Sequence, residues 1–358
     1  LKTRVVVAMS GGVDSAVAAG VLARQGYDVV GVTLRLANLA RLGLGVSRCC
    51  SDEDVEVARA VCVRLGIAHD VLEVGAAFRR SVVEPFVDSY LAGETPLPCA
   101  HCNAVVKFGE LLEAAFRMGA ETLATGHYAR VGREEGIPAL RRALDREKDQ
   151  SYFLFTLELW QLEHVSFPIG AMTKSEVRAL AAELGLPNAG KTESQEVCFV
   201  PPGGSYVKVL EAMAPGRMPG EGEIVDRDGR VLGRHGGHHR FTVGQRRGLG
   251  VADGRRLYVL EVHPQANRVV VGTDAEAERR TLLLRDVNWI APRADETMRA
   301  EVQVRSRHVP APATVRRRDD GTAEVTFDEP VLSPAPGQAA VCYQGDRLLG
   351  GGWITATA

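Results

Sequence analysis

Cysteine is scarce in this chain: seven occur in 358 residues, at positions 49, 50, 62, 99, 102, 198 and 342. They are too few and too scattered for a disulfide-stapled secreted scaffold. A surplus of either charge is also missing. Lys and Arg number 43 against 45 Asp and Glu, a net charge of −2, so the molecule as a whole is not a basic coat for nucleic acid. A local basic patch is still enough to hold RNA, because affinity follows the charge that faces the phosphates. No apolar run is long enough to span a bilayer, and no charged-then-apolar leader opens the sequence. The expectation is a cytosolic chain with reduced thiols and no membrane partner. Convincing internal repeats are absent too, which leaves about two or three separate domains for this length.

What is present begins with alternation. "RVVVAM" (Arg4 to Met9) is a β-branched run that ends in Ser-Gly-Gly, the pattern of a buried strand entering a loop. A helix is predicted from Asp14 to Gln25, stopped by Gly26, followed by a strand from Asp28. A second helix carries an N-cap signature at Ser51 with Asp54 beyond it. Val55, Ala58, Cys62 and Leu65 share its apolar face, and Gly66 ends it. Further strands are expected from Ala68 and from Glu121. Strands alternating with helices predict an α/β fold with a doubly wound, mostly parallel sheet, and ligands at the carboxyl ends of its strands. After about Pro201 short β-rich runs replace the alternation. They predict a small β-containing middle domain over 201–278 and a C-terminal β-barrel over 279–358, behind a catalytic domain over 1–200. "APRADE" and "PAPAT" read as turn-rich linkers or loops.

"AMSGGVDSAVA" is the most informative stretch. A strand, then Ser10-Gly11-Gly12, then Asp14 and Ser15 opening a helix, gathers backbone N–H groups and a helix N-terminus around one point, an arrangement that binds phosphate. The Walker A spacing Gly-x4-Gly-Lys is lacking there, as is the G-x-G-x-x-G dinucleotide turn. The loop resembles the pyrophosphate loop of the ATP pyrophosphatases, which adenylate a substrate and release pyrophosphate.

"PLPCAHCN" (Pro96 to Asn103) places Cys99 and Cys102 three positions apart in what reads as a loop. The pair by itself is compatible with half a zinc site, a redox disulfide, cluster ligands, or a nucleophile with a spare neighbour. Other cysteines have plainer readings: Cys62 and Cys342 as core, and the vicinal Cys49 and Cys50 as structural, since neighbours of this kind do not easily form an unstrained disulfide. A stretch from Arg230 to Arg256 carries seven arginines against Asp253 alone and suggests an RNA-facing surface. His235, His238 and His239 lie within it without a nearby cysteine, so no zinc site is expected there. Arg316 to Arg318, followed by Asp319 and Asp320, reads as a charged hairpin tip.

"TGHYAR" (Thr125 to Arg130), "KDQSYFL" (Lys148 to Leu154), "FPIGAMTKSEVR" (Phe167 to Arg178), "SQEVCFV" (Ser194 to Val200), "FTVGQRRGLG" (Phe241 to Gly250) and "GQAAVCYQGDRLLGGGWI" (Gly337 to Ile354) follow in order. Together with the first loop they resemble the MnmA (TrmU) family of tRNA-specific 2-thiouridylases over essentially the whole chain. The resemblance implies ATP-dependent replacement of the 2-oxygen of the wobble uridine by sulfur in glutamate, glutamine and lysine tRNAs. It further implies Mg2+ with the ATP, tRNA as partner, and a persulfide donor such as a cysteine desulfurase or relay protein. By the same resemblance Cys198 carries the persulfide and Cys102 is its partner and nucleophile, with a transient disulfide between them. Ala8, Met9, Ser10, Gly11, Gly12, Val13, Asp14, Ser15, Leu34 and Gly126 are then expected around ATP. His127, Lys148, Asp149, Gln150, Arg305, Ser306 and Gln338 are expected to contact tRNA.

One position departs from the best-known form of the family motif, which has Asp where this chain has Cys99. A carboxylate there can act as a base or orient the reacting thiol, and a cysteine is a poorer substitute for either role. With Cys102 and Cys198 it also supplies the three thiolates that a [4Fe–4S] cluster with one open iron requires, so a cluster stands as the alternative to the persulfide route. Structural zinc usually takes a fourth Cys or His and is the lesser reading; His101 is its candidate fourth ligand, which an extended loop would turn to the face opposite Cys102.

Overall fold

The computed structural model describes residues 2–36, 52–192, 197–200, 203–251, 254–291 and 296–358. Two compact units emerge. The first comprises Leu1–Val82, Cys99–Ser205 and Asp346–Leu348, and the second Val83–Pro98, Tyr206–Gly345 and Leu349–Ala358.

In the first unit β1 (Arg4–Ala8), β2 (Asp28–Arg35), β3 (Ala68–Glu73), β4 (Thr122–Ala124) and β7 (Val165–Ser166) form a parallel sheet in the order β3-β2-β1-β4-β7. The doubly wound parallel sheet expected from the alternation is therefore present. Val5, Val6 and Val7 of β1 are at most 2% exposed, because the strand is central and covered on both faces. The order reverses at β1: the chain moves outward to β2 on one side and later to β4 on the other. A crevice opens at the carboxyl ends of such strands, and that is where ligands bind in open α/β sheets. Helix α1 (Val13–Arg24) follows β1. It buries Ala16 to Gly20 almost entirely, its small side chains letting it lie close to the sheet. Gly26, at φ +88°, ends this element. Helix α2 (Asp52–Leu65) buries Val55, Ala58 and Cys62 as predicted, while its cap at Ser51 lies outside the described residues, as do Cys49 and Cys50. A hairpin of β5 (Ala129–Glu134) and β6 (Ile137–Arg142) leaves this unit's sheet and pairs with Arg347.

In the second unit β8 (Gly222–Val225), β9 (Val231–His235), β10 (Tyr258–His263) and β11 (Arg268–Gly272) make a four-stranded sheet ordered β10-β11-β8-β9. Strands β12 (Glu278–Trp289), β13 (Thr297–Gln303), β14 (Ala311–Arg317), β15 (Ala323–Leu332), β16 (Ala339–Gln344) and β17 (Arg347–Thr357) follow in the order β12-β15-β14-β13-β16-β17. Pairing of β12 with β17 closes them into a six-stranded antiparallel barrel. The expected C-terminal barrel is thus observed. "PAPAT", expected as a loop, is instead the start of β14. Pro312 is tolerated because it pairs only with Glu301 of β13; the ladder to β15 begins one residue later at Ala313, so no amide donor is needed on that side. The hairpin tip expected at Arg316 to Arg318 begins later: Arg316 and Arg317 still belong to β14, and the turn runs from Arg318 to Thr322 with an Arg318–Glu324 ion pair of 2.7 Å. Cys342 faces the barrel interior with no exposure, and burial pushes its thiol up to about 12; Cys62 in the first unit is likewise pushed up to about 11.

Candidate functional site

At the end of β1 the chain turns through Ser10, Gly11 and Gly12 into α1. Gly11 holds φ +70°, and a Cβ there would stand 2.9 Å from the carbonyl oxygen of Asp54, so glycine is required twice over. Gly12 caps the helix in an extended conformation without a side-chain bond, and Asp14 stands in the first turn. The two hydroxyls brace the turn. Ser15 Oγ accepts from the Ser10 amide at 3.2 Å, donates to the Gly12 carbonyl at 3.1 Å, and lies 3.1 Å from Ser10 Oγ. Asp14 Oδ1 accepts from Tyr128 Oη at 2.9 Å and from Lys174 Nζ at 2.7 Å. On the far side the Gly11 carbonyl accepts from Asn188 Nδ2 and Lys191 Nζ, and Lys191 also pairs with the buried carboxylate of Asp54 at 2.6 Å.

The opposite wall is the loop after β4. A Cβ on Gly126 would lie 2.6 Å from the Ser15 amide nitrogen, so the wall can approach the loop only because residue 126 is glycine. His127 is 9% exposed. Its Nδ1 lies 2.7 Å from Thr125 Oγ1, and its Nε2 lies 3.5 Å from Lys107 Nζ. An ammonium only donates, so Nε2 is the acceptor and Nδ1 carries the proton, given to Thr125. Burial first, and the Lys107 charge second, hold the His127 pKa well below the ordinary 6.5, so the ring is neutral at pH 7. Gln150 is fixed at both ends by Tyr128, through its amide at 2.8 Å and its Oε1 at 2.9 Å.

Between these walls lies a cavity of about 240 Å³. Of the predicted residues, Ala8, Met9, Ser10, Asp14, Ser15, Leu34, Gly126, His127 and Gln150 line it together, joined by Val32, Lys107 and Thr125. Its apolar lining (Ala8, Val32, Leu34) suits a flat base, and its polar lining (Ser10, Ser15, Lys107) suits an anion. Gly11, Gly12 and Val13 shape the turn without lining the space.

"PLPCAHCN" is not the extended loop expected. Pro98–His101 is a helical turn with proline at its first position, where the missing amide costs nothing. Cys102–Glu110 continues as a π-helix, with the Leu111 amide bonded to the Val106 carbonyl five residues back. His101 therefore ends a helical turn, where strand alternation does not set its face. Cys99 is exposed, Cys102 buried and Cys198 half-buried. Phe199, beside Cys198, is 2% exposed and packs edge-on against Phe78, anchoring that segment; residues 194–196 lie outside the described residues. Among the described residues no group of three or more His, Cys, Asp or Glu side chains is placed to hold a metal ion. Cys99, Cys102 and Cys198 are accordingly not arranged as a cluster needs, and any Mg2+ would be held chiefly by phosphate oxygens, as is common for that ion.

Asp149 turns inward: it accepts from the Ala143 and Ser151 amides and from Ser151 Oγ, and pairs with Arg142 at 3.0 Å. Lys148 is partly exposed at the same bend. Arg305, Ser306 and Gln338 belong to the second unit. Arg305 bonds to the carbonyls of Val243 and Ser333, the Ser306 carbonyl accepts from Gln303, and Gln338 Nε2 donates to the carbonyls of Thr95 and Pro96 at 3.0 and 3.2 Å. His238 bonds to Asn267 and the Leu91 carbonyl. Asp253, the acidic residue in the arginine stretch, lies outside the described residues.

Residues missed in the sequence are Val32, Lys107, Thr125, Tyr128, Lys174, Asn188 and Lys191. Thr125, Tyr128 and Lys174 stand inside the motifs "TGHYAR" and "FPIGAMTKSEVR", so the signal was present without a role attached. Lys107 carried none.

Three family models account for nearly the whole chain: a tRNA methyl transferase HUP domain over residues 3–202, a tRNA methyl transferase PRC-barrel domain over 210–273 and an aminomethyltransferase beta-barrel domain over 279–354. A tRNA-specific 2-thiouridylase MnmA from Rhodospirillum centenum is 51% identical over 364 residues, covering 98% of this chain and 91% of the relative. The protein of the same name from Acidithiobacillus ferrooxidans is 48% identical over 355 residues, 99% of each. Among solved structures, a 4-thiouridine synthetase–RNA complex with bound ATP matches 60% of this chain and 51% of its own at 16% identity and a TM-score of 0.36. The NMN synthetase of Francisella tularensis matches 60% and 80% at 15% identity and a TM-score of 0.35. Those two scores are too low to argue from. Identity near one half over almost the full length of both chains is decisive: the chain belongs to the MnmA family of tRNA-specific 2-thiouridylases.

Proposed function

We propose that this protein thiolates position 2 of the wobble uridine in glutamate, glutamine and lysine tRNAs, using ATP with Mg2+ and sulfur from a persulfide donor. The observation that carries the reading is the cavity at the end of β1, where a self-braced Ser10–Ser15 loop meets an apolar slot. In this reading the uridine O2 attacks the α-phosphorus of ATP and pyrophosphate leaves. The terminal sulfur of a Cys198 persulfide then attacks C2, and AMP departs with the former uridine oxygen. The Cys102 thiolate attacks Cys198 Sγ, the sulfur–sulfur bond breaks toward the base, and a Cys102–Cys198 disulfide remains. A thiol reductant returns two electrons to it. The wobble base lies in a single-stranded loop and is splayed into a pocket at small stacking cost.

Residues 1–200 are the catalytic part, 201–278 a tRNA-contacting part and 279–358 the barrel. His127, Lys148 and Gln150 face the tRNA, and Asp149 shapes the bend that presents them. Arg305, Ser306 and Gln338 contribute from the second unit. The word methyl transferase in the family descriptions fits less well, since methyl transfer has no use for a pyrophosphate loop with two distant thiols. A cluster held by Cys99, Cys102 and Cys198 is the alternative route to the same product, and among the described residues no group of three His, Cys, Asp or Glu is placed for a metal ion.

Cys198→Ser tests the reading. With unmodified glutamate tRNA, pyrophosphate release is expected to stay within about threefold of wild type while 2-thiouridine disappears, because activation uses the loop and only sulfur transfer uses the thiol. Wild-type levels of 2-thiouridine in the variant would sink the assignment.

A further inference from the structure

Lys107 has no role in the reading above, yet it lines the same cavity as Ser10 and Ser15. It stands in the π-helical segment that begins with Cys102. In an α-helix residues five apart lie about 140° around the axis. Hydrogen bonds from residue i to i+5 instead bring positions five apart toward one face. The wide turn therefore carries Lys107 round toward the side of Cys102. Two ties hold this segment: Asn103 Nδ2 donates to the Phe153 carbonyl at 2.9 Å, and Gln161 Nε2 to the Phe108 carbonyl at 2.7 Å. The ammonium is then steered by His127, a neutral ring whose proton is committed to Thr125, so its Nε2 can only accept. A neutral acceptor orients a cation without cancelling its charge. Asp14, the carboxylate lining this cavity, is engaged by Tyr128 and Lys174.

We propose that Lys107 is a catalytic cation of the activation step, contacting the phosphate oxygens of the nucleotide and stabilising the charge that builds on the α-phosphoryl group as pyrophosphate leaves. Thr125 and His127 act as its positioning residues. The inference rests on the adenylation reading of the cavity and deepens it.

The test uses the full chain, ATP and unmodified glutamate tRNA, with pyrophosphate release followed over a range of ATP concentrations. Lys107→Met, uncharged and close in shape, is expected to lower kcat about 100-fold, the usual scale for removing one donor from a developing oxyanion. KM for ATP should rise by less than kcat falls. Lys107→Arg restores charge and should recover at least about a tenth of the wild-type rate, which mere packing would not predict. If Lys107→Met does not fold, Lys107→Gln serves in its place. Wild-type kcat in the neutral variant, or an Arg variant no better than Met, would overturn the role of Lys107 while leaving the adenylation reading intact. A wild-type enzyme that releases no pyrophosphate would overturn both.

Discussion

The Ser10–Ser15 loop and the segment from Cys102 to Glu110 both reach the cavity, and they are held there by different means. The loop is braced largely from within, with long-range ties added at Asp14 by Tyr128 and Lys174 and at the Gly11 carbonyl by Asn188 and Lys191. Its hydroxyls bond to backbone within five residues, and its glycines accept close contacts that no other residue tolerates. The thiol segment is held from outside, by Phe153 fifty residues on and by Gln161 at a separation of 53. The bonds within five residues keep the Ser10–Ser15 turn in shape when distant parts of the protein shift. A segment tied at long range moves with its anchors. Phosphate chemistry needs fixed donors, whereas a thiol that must attack, form a disulfide and be reduced needs room to travel.

The contrast can be broken most severely at the loop. Asp14→Ala leaves Lys174, whose side chain is 12% exposed, without the carboxylate it pairs with at 2.7 Å, and removes the anchor for Tyr128. Pyrophosphate release and thiolation should fall together by about 1,000-fold. A variant within tenfold of wild type in a pyrophosphate assay would mean that the loop is not where activation happens. At the thiol segment a smaller effect is expected. Asn103→Leu strips a donor from the Phe153 carbonyl and should cost about 1–2 kcal/mol in urea unfolding. Sulfur transfer should slow more than pyrophosphate release; equal slowing of both would show that loop and segment are not independently held.

The smallest effect is on acid stability. His127 in the first unit and His239 in the second both have pKa values depressed below the ordinary 6.5. Burial is the main cause in each; Lys107 adds to it at His127, and Arg240 and His238 add more than Glu211 offsets at His239. The unfolded chain takes up these protons first as pH falls. Their contribution is therefore complete above about 6.5 and is lost as pH drops through the lower folded values. Melting temperature should fall between pH 7.5 and 5.5, and less so in His239→Leu, whose ring nitrogens are buried without hydrogen-bond partners among the described residues. An unchanged slope in that variant would remove His239 from the account.

How much of this was legible in the sequence follows the same division. The loop, the strand before it and the helix after it depend on neighbours in the chain, so "AMSGGVDS" carried nearly all of its own geometry. Cys62 and Cys342 were readable as core from periodicity alone. The π-helix from Cys102 was not, because it depends on Phe153 and Gln161, and no local pattern distinguishes it from a loop after two prolines. Lys107 escaped for the same reason: its importance comes from His127, twenty residues away and across the cavity. "PAPAT" failed differently, since a proline is legal in a strand only where the next strand has not yet begun, and pairing register is invisible in one sequence.

Gln338 has a consequence in time. It donates to Thr95 and Pro96, while Thr95 donates back to Pro336, so the stretch immediately before Cys99 is fastened by residues about 240 positions later. At 5–20 residues per second a ribosome needs about 12–50 s to make the intervening chain. Throughout that interval the nascent protein can have a finished nucleotide loop but lacks the clasp just ahead of Cys99. Each new molecule thus passes through a period in which the stretch before Cys99 lacks these bonds, although Phe153 and Gln161, made much earlier, are already there to hold the segment from Cys102.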